Sequence, residues 1–116
     1  MAAVTIYHNP RCSKSRQTLQ LLQEKGVEPE IVLYLENTPS TEALAEVINT
    51  LEISVRELIR TGESAYKESN LKDASLSDQQ LLEAMIENPK LIQRPIVLTN
   101  GQARIGRPPE SVLEIL

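Results

Sequence analysis

The sequence contains a single cysteine, no tryptophan and no phenylalanine among its 116 residues. One cysteine excludes an intramolecular disulfide and is typical of a protein in a reducing compartment, so we expect a cytoplasmic location. With three tyrosines as its only aromatic residues, the core has to be built from aliphatic side chains. No apolar run approaches the roughly 18 residues of a membrane span, and the N-terminal residues lack the basic and apolar regions of a signal peptide. These absences predict a protein without a membrane partner.

Excess positive charge and metal-ligating clusters are missing as well. The formal net charge is −4 at pH 7, which argues against a nucleic-acid partner because proteins of that class carry a basic face. One histidine and one cysteine are too few ligands for a zinc site, so we expect no bound metal. The four glycines are scattered along the chain rather than gathered into a phosphate-binding loop, and we expect no bound cofactor.

Hydrophobic patterning predicts an α/β protein in the order β-α-β, a helical block and β-β-α. The expected strands cover residues 4–7, 31–35, 96–99 and 102–105. The expected helices begin near residue 12 or 13 with a serine as N-cap, after residue 40, at the capping boxes 54–57 and 77–80, at 65, and at 110. The run at 31–35 is nearly all apolar, as in a strand covered on both faces. Asn100-Gly101 is a strong signal for a two-residue hairpin turn.

This order of elements predicts a mixed four-stranded sheet of the thioredoxin-like type. The first two strands flank a crossover helix and should be parallel, whereas the hairpin adds an antiparallel pair. We expect a single domain of residues 1–116, with a helical insertion at about residues 40–90. In this architecture the proline before the third strand is usually cis and faces the site cysteine, so we expect a cis peptide bond at Pro95.

Cys12 is the candidate nucleophile. It follows a strand and a proline-containing loop and lies where the first helix begins, and a helix N-terminus carries roughly half a positive charge together with unpaired N–H groups. Arg11, Lys14 and Arg16 add cationic side chains around it. These features lower the pKa of a cysteine, and the thiolate is its nucleophilic form. Polar neighbours also argue against burial in an apolar core, so we expect a reactive thiol.

Serine at position 15 leaves Cys12 without the partner of a Cys-x-x-Cys redox pair. An outside thiol therefore has to resolve any covalent adduct, and glutathione and glutaredoxin are the obvious donors. A phosphatase-type loop requires an arginine six residues after the cysteine, where this chain has Thr18. Ser15 and His8 are candidate activators of the thiolate, Ser15 through a hydrogen bond and His8 through a hydrogen bond or its charge.

Three arginines are candidate ligands for an oxyanion. Arg94 precedes Pro95 and the third strand, Arg107 precedes the last helix, and Arg60 lies at the end of a helix in the middle block. A planar guanidinium matches two oxygens of an anion at once. Spacing alone does not distinguish these residues from ordinary surface charges, although a cis Pro95 would bring Arg94 beside Cys12.

Three segments carry a resemblance to a known family. They are His8-Asn-Pro-Arg-Cys12-Ser-Lys-Ser-Arg, Arg94-Pro-Ile-Val97 and Ile105-Gly-Arg107-Pro-Pro. They resemble the arsenate reductases of the glutathione/glutaredoxin-dependent, thioredoxin-like type, in their short form, and the likeness runs over nearly the whole chain.

The resemblance implies a mechanism with a single thiol. Cys12 would attack arsenate, glutathione would add to the arsenic as co-substrate, and glutaredoxin would help to reduce arsenic(V) to arsenic(III), which leaves as arsenite. The resemblance also assigns the binding of arsenate, or of a similar oxyanion, to Arg60, Arg94 and Arg107.

Three alternatives remain open from the residues. The same fold includes stress regulators that bind RNA polymerase, but these typically sense oxidation with a Cys-x-x-Cys pair that Ser15 removes. Monothiol iron–sulfur carriers also have a Cys-x-x-Ser, but with Gly-Phe where this chain has Ser13 and Lys14. A glutathione-dependent reductase of another oxidised substrate would share every feature described so far.

Overall fold

The computed structural model describes residues 3–116, which form two compact units. The first unit contains the chain up to Asn37 together with Arg94–Leu116, and the second contains Thr38–Gln93. Among the helices in residues 3–116, none combines the length and the apolar content needed to cross a membrane.

The first unit is built on a mixed four-stranded sheet with the order β2-β1-β3-β4. Its strands are β1 Thr5–Tyr7, β2 Glu30–Val32, β3 Ile96–Thr99 and β4 Gln102–Ile105. β1 pairs in parallel with β2 and antiparallel with β3, and β3 pairs antiparallel with β4. The predicted thioredoxin-like sheet is therefore confirmed, and so is the cis peptide bond before Pro95. A second cis bond, between Arg107 and Pro108, was not predicted.

Two helices in the first unit supply the apolar cover of its core. α1 spans Ser13–Glu24, and a 3₁₀ helix spans Pro109–Ile115, where the sequence predicts an α-helix. The buried cluster of this unit joins the two central strands to these helices through Ile6, Leu22, Val97, Val112 and Ile115. The predicted C-terminal stop of α1 is confirmed, because Gly26 follows the helix with φ 78°. The expected serine N-cap is wrong, because Cys12 itself occupies that position.

The prediction for the second strand is wrong in its length and its burial. β2 ends at Val32, and Leu33 then accepts backbone hydrogen bonds from Glu36 and Asn37, which close a turn. β2 is also an edge strand of the sheet, and Ile31 is 45% exposed. An apolar run does not reveal whether a strand lies at the centre or at the edge of its sheet.

The turn between β3 and β4 agrees with its prediction. Asn100 and Gly101 have φ of 55° and 70°, the left-handed values that a type I′ turn requires at both central positions. The strand bounds on either side also match the prediction, because this turn chemistry is local and sets the register of the hairpin.

The second unit is helical. It contains α2 Thr41–Leu51, α3 Ser64–Glu68 and α4 Asp78–Glu87, with 3₁₀ turns at Arg56–Leu58 and Pro89–Leu91. Ser40 and Ser77 cap α2 and α4 as predicted. Ser54 and Glu57 also form their predicted box, but only one 3₁₀ turn follows. Ile59 is already extended and forms a β-bridge with Ile92, and that bridge stops the expected helix.

Candidate active site

Asn9 organises the loop between β1 and α1. Its carbonyl accepts a hydrogen bond from the backbone N–H of Cys12, and its side-chain oxygen accepts one from Arg11, both at 3.0 Å. The backbone N–H of Asn9 donates to Ser15 Oγ at 3.0 Å, and the residue is buried. Sequence reasoning missed this role, although an asparagine before proline is a common turn former that bonds its own backbone two residues on.

Ser15 links the loop to His8. Ser15 is fully buried, and its Oγ lies 2.7 Å from His8 Nδ1. Burial, with a smaller contribution from the charge of Arg16, lowers the pKa of His8 below its usual 6.5. The ring is therefore neutral at pH 7. The hydrogen bond of His8 goes to Ser15 and not to Cys12, so a direct action of His8 on the thiolate stays a prediction.

The Cys12 thiol is partly exposed, and its pKa is lowered. Burial is the largest single influence and would raise the pKa of Cys12, but four others together outweigh it. They are a hydrogen bond from the backbone of Ser15, one from the side chain of Arg94, one from the backbone of Lys14, and the charge of Arg94. The helix start thus lowers the pKa of Cys12 as predicted, but the charge that acts with it belongs to Arg94 and not to the neighbouring cations of the chain.

Arg107 brings a second guanidinium to the sulfur. Its Nη2 donates a long hydrogen bond to Cys12 Sγ at 3.8 Å, and its Nε donates to the carbonyl oxygen of Arg94 at 3.0 Å. The second bond fixes the guanidinium against the segment that carries the other arginine. The first unit therefore brings together Cys12, Arg94 and Arg107. A tetrahedral oxyanion bound to the sulfur would face two guanidinium groups.

The start of α1 is arranged differently from the starts of α2 and α4. The longer helices of the second unit have a serine side chain as cap and an acidic residue, Glu42 or Asp78, in the first turn. α1 has cysteine instead of serine at its N-cap and no acidic residue in the first turn, and it places Lys14 and Arg16 in that turn. Cations at this end oppose the helix dipole and reduce helix stability. The same arrangement leaves N–H groups and positive charge available to an anion.

Gly106 supports the two arginine segments. A Cβ at this position would lie 2.5 Å from Thr18 Oγ1 and 2.8 Å from Pro95 Cγ. Thr18 is fully buried, with its hydroxyl donating to the carbonyl of Lys14, and the backbone N–H of Gly106 donates to Pro95 O at 2.9 Å. The absence of a side chain at 106 therefore lets the segment that follows β4 and carries Arg107 pack against both α1 and the cis proline.

Gly106→Ala should destabilise the protein by about 1–3 kcal/mol, the usual cost of adding a methyl group to a packed site. The added carbon meets the ring of Pro95 and the side chain of Thr18, both of which are buried. Urea unfolding followed by circular dichroism measures the change. Gly62→Ala is the matched control, because a Cβ there meets nothing within 4 Å, and it should change stability by less than about 0.5 kcal/mol. Equal stabilities of the two variants would contradict the packing argument.

The lowered pKa of Cys12 predicts alkylation at unusually low pH. A thiol whose pKa is depressed in the folded state forms its thiolate at lower pH, so the alkylation rate should reach half its maximum below the ordinary ~8.5. The measurement is the rate of reaction with iodoacetamide against pH. The same protein unfolded in urea is the control and should show the ordinary midpoint. Coincident midpoints would mean that the fold does not activate this cysteine.

Arg60 belongs to the second unit. Its Nε forms an ion pair with Glu63 at 3.4 Å, and its Nη1 is buried without a hydrogen-bond partner among residues 3–116. A buried guanidinium N–H without an acceptor is costly and would gain from an anion. The prediction that Arg60 binds the same oxyanion as the two arginines of the first unit stays a prediction.

The arrangement is suited to covalent chemistry on an oxyanion. It offers a partly exposed thiolate, backbone N–H groups and two guanidiniums that can neutralise the negative charge of a bound oxyanion. In residues 3–116, no group of three or more histidine, cysteine, aspartate and glutamate side chains is arranged to hold a metal ion.

Comparison with known proteins agrees with this geometry. Residues 7–115 match the model of the ArsC family. The uncharacterized protein YfgD of Escherichia coli K12 is 60% identical over 97% of this chain and 96% of its own. An arsenate reductase of Haemophilus influenzae is 50% identical over 98% of this chain and 99% of its own. The solved structure of an arsenate reductase from Vibrio cholerae superposes with a TM-score of 0.97, at 56% identity and with 98% of each chain covered.

Proposed function

The chain belongs to the ArsC family, and we propose from this that it is an arsenate reductase, an oxidoreductase that converts arsenate to arsenite through a covalent intermediate on Cys12. Relatives named as arsenate reductases cover nearly the whole chain at high identity. The observation that carries the proposal is the thiol of Cys12, whose pKa is lowered at the start of α1 and which receives a hydrogen bond from Arg107.

The first step is attack of the Cys12 thiolate on the arsenic of arsenate. Sulfur replaces one oxygen, which leaves as water after protonation, and an arsenic(V)–sulfur bond forms. Arg94 and Arg107 are proposed to hold the remaining oxygens, and Arg60 is proposed to join them. Two guanidiniums near the sulfur support these roles, because Arg94 donates a hydrogen bond to the thiol and Arg107 is held against the Arg94 carbonyl before the substrate binds.

His8 and Ser15 are proposed to keep the thiolate in position. Ser15 Oγ is fixed by the backbone of Asn9 and by His8 Nδ1. Ser15 also contributes its backbone N–H to the sulfur. A buried pair that ties the first turn of α1 to the loop supports a positioning role for both residues.

Glutathione and glutaredoxin are proposed to supply the electrons, with no bound cofactor. The single cysteine of the chain supports this, because the protein has no second thiol to release its own adduct. Glutathione replaces a second arsenic-bound hydroxyl as water and forms an arsenic–sulfur bond. A glutaredoxin thiolate then attacks the glutathione sulfur, and the electron pair of the arsenic–sulfur bond stays on arsenic, which becomes arsenic(III). Water then displaces Cys12 and releases arsenite.

A reducing compartment is required for this cycle, and we place the enzyme in the cytoplasm. The solitary and partly exposed thiol supports that location, because reduced thiols persist there.

The test is arsenate-dependent oxidation of NADPH in the presence of glutathione, glutaredoxin and glutathione reductase. The proposal expects a rate that saturates with arsenate and needs all three additions. A folded protein with a reactive Cys12 but no arsenate-dependent rate would contradict arsenate as the substrate and would favour another oxidised substrate.

A further inference from the structure

A cavity of about 230 Å³ lies against the loop that precedes Cys12. Residues 8–11 line one side, and Leu33, Leu35 and Glu36, which follow β2, line the other. All of these residues belong to the first unit. The cavity therefore adjoins the nucleophile through the backbone of the loop, and the oxyanion site described above does not use it.

Two opposite charges line this cavity without neutralising each other. Arg11 and Glu36 are both exposed, and within the described part of the chain neither side chain forms an ion pair. Both charges are therefore available to a ligand. A ligand that carries an anionic group and a cationic group some distance apart would satisfy both of them.

The remaining lining combines polar atoms with apolar surface. His8 Nδ1 is occupied by Ser15, which leaves Nε2 as the other ring nitrogen. The side-chain oxygen of Asn9 accepts from the loop backbone, which leaves its NH₂ group to donate. Leu33 and Leu35 are half-buried and supply apolar wall. Apolar walls with a few placed polar groups are typical of small-molecule sites.

We propose that this cavity binds glutathione, with a carboxylate of the tripeptide on Arg11 and its γ-glutamyl ammonium on Glu36. The inference rests on the proposed function, which requires this co-substrate. The volume of the cavity is below the roughly 300–1,000 Å³ of pockets for drug-sized ligands, so part of the tripeptide stays outside the cavity. Because residues 8–11 line the cavity and lead directly into Cys12, a tripeptide held there lies beside the loop that carries the nucleophile.

The proposed glutathione site acts at the second step of the cycle. The glutathione thiol loses its proton to an arsenic-bound hydroxyl, which leaves as water, and the sulfur forms the new bond to arsenic(V). No electron is transferred until glutaredoxin attacks the glutathione sulfur. When glutathione is bound in the cavity, the attack of its thiol on arsenic takes place within one complex and is no longer a bimolecular step. A small concave site suits the tripeptide itself rather than the surface of glutaredoxin, since a protein partner needs an interface of roughly 800 Å².

The variant Glu36→Lys tests the proposed glutathione site through steady-state kinetics. Reversing the charge that faces the ammonium should raise the KM for glutathione about tenfold, as expected for loss of a charge-assisted contact. The KM for arsenate should change less than twofold. Glu28→Lys is the matched control, because it makes the same charge change at the end of the sheet opposite the cysteine loop. Equal KM values for glutathione in the two variants would overturn the proposal.

A binding experiment without turnover tests the glutathione site independently of the proposed function. S-methylglutathione cannot react, and its addition to the ¹⁵N-labelled wild-type enzyme should shift the amide signals of Arg11, Leu35 and Glu36. The glutathione site would be refuted by signal shifts confined to other surfaces, or by the absence of any shift at the concentration at which glutathione saturates the reductase assay. Neither outcome would contradict the proposed reductase activity. Shifts at the cavity in a protein that lacks arsenate reductase activity would support the glutathione site and contradict the proposal that arsenate is the substrate.

Discussion

Cys12→Ser should abolish arsenate-dependent NADPH oxidation, with a loss of at least about a thousandfold. A serine hydroxyl stays protonated near neutral pH and cannot form the arsenic–sulfur bond. The chain contains no other cysteine, so no second thiol can replace the nucleophile. The coupled assay with glutathione, glutaredoxin and glutathione reductase measures the loss.

The fold should survive this substitution. Cys12 is partly exposed, and a serine hydroxyl can accept the same backbone hydrogen bonds from the first turn of α1, so thermal unfolding should be almost unchanged. Ser13→Ala, at the neighbouring exposed position, is the matched control and should keep most of the activity. Substantial turnover by a folded Cys12→Ser protein would show that glutathione attacks arsenate directly and that the enzyme only binds the anion.

Arg94→Ala and Arg107→Ala should each lower kcat/KM for arsenate by about a hundredfold to a thousandfold, the usual effect of removing a fixed group that stabilises developing charge. The two losses should differ in kind. Arg94 lowers the pKa of the Cys12 thiol, so its removal should also move the alkylation midpoint upward. Arg107 holds its guanidinium on the backbone of Arg94, and its removal should act mainly on arsenate binding.

Arg104→Ala is the control for both variants. Arg104 is on β4 in the same unit and pairs with Glu114 at 3.3 Å on the surface, so its loss should change kcat/KM less than twofold. Arg107→Lys sharpens the comparison, because it keeps the charge but loses the fork that matches two oxygens. Full activity in Arg107→Lys would mean that charge alone is required. Arg60→Ala tests the third proposed ligand in the same assay, and an unchanged KM for arsenate would remove it from the site.

The parts of the fold that sequence predicts well are set by neighbouring residues. Asn100-Gly101 fixes the hairpin because both positions need left-handed backbone, and Ser40 and Ser77 mark helix starts because their side chains bond the next turn. The cysteine loop is similar: the helix start, its cations and the thiol are contiguous in the chain. Contiguity made the nucleophile and the effect of the helix start on its pKa predictable, whereas the charge that also lowers this pKa comes from Arg94, far along the chain.

The parts that sequence predicts poorly depend on contacts between distant residues. The apolar run at β2 does not reveal an edge strand, because strand order is a property of the whole sheet. The importance of Gly106 follows from Thr18 and Pro95, which the chain brings to it from two other elements. The capping box at Ser54 predicts a helix, but Ile59 is extended and forms a β-bridge with Ile92. Propensity yields to tertiary contacts in each case.

The start of α1, with cysteine at its N-cap and cations in its first turn, has a consequence for anyone who engineers this protein for heat resistance. Standard rules would place aspartate or serine at position 12 and glutamate in the first turn, and each change raises helix stability. Every one of these improvements would remove the thiol or repel the anion. A stabilised version of this enzyme therefore has to raise its melting temperature through changes elsewhere and leave the start of α1 unchanged.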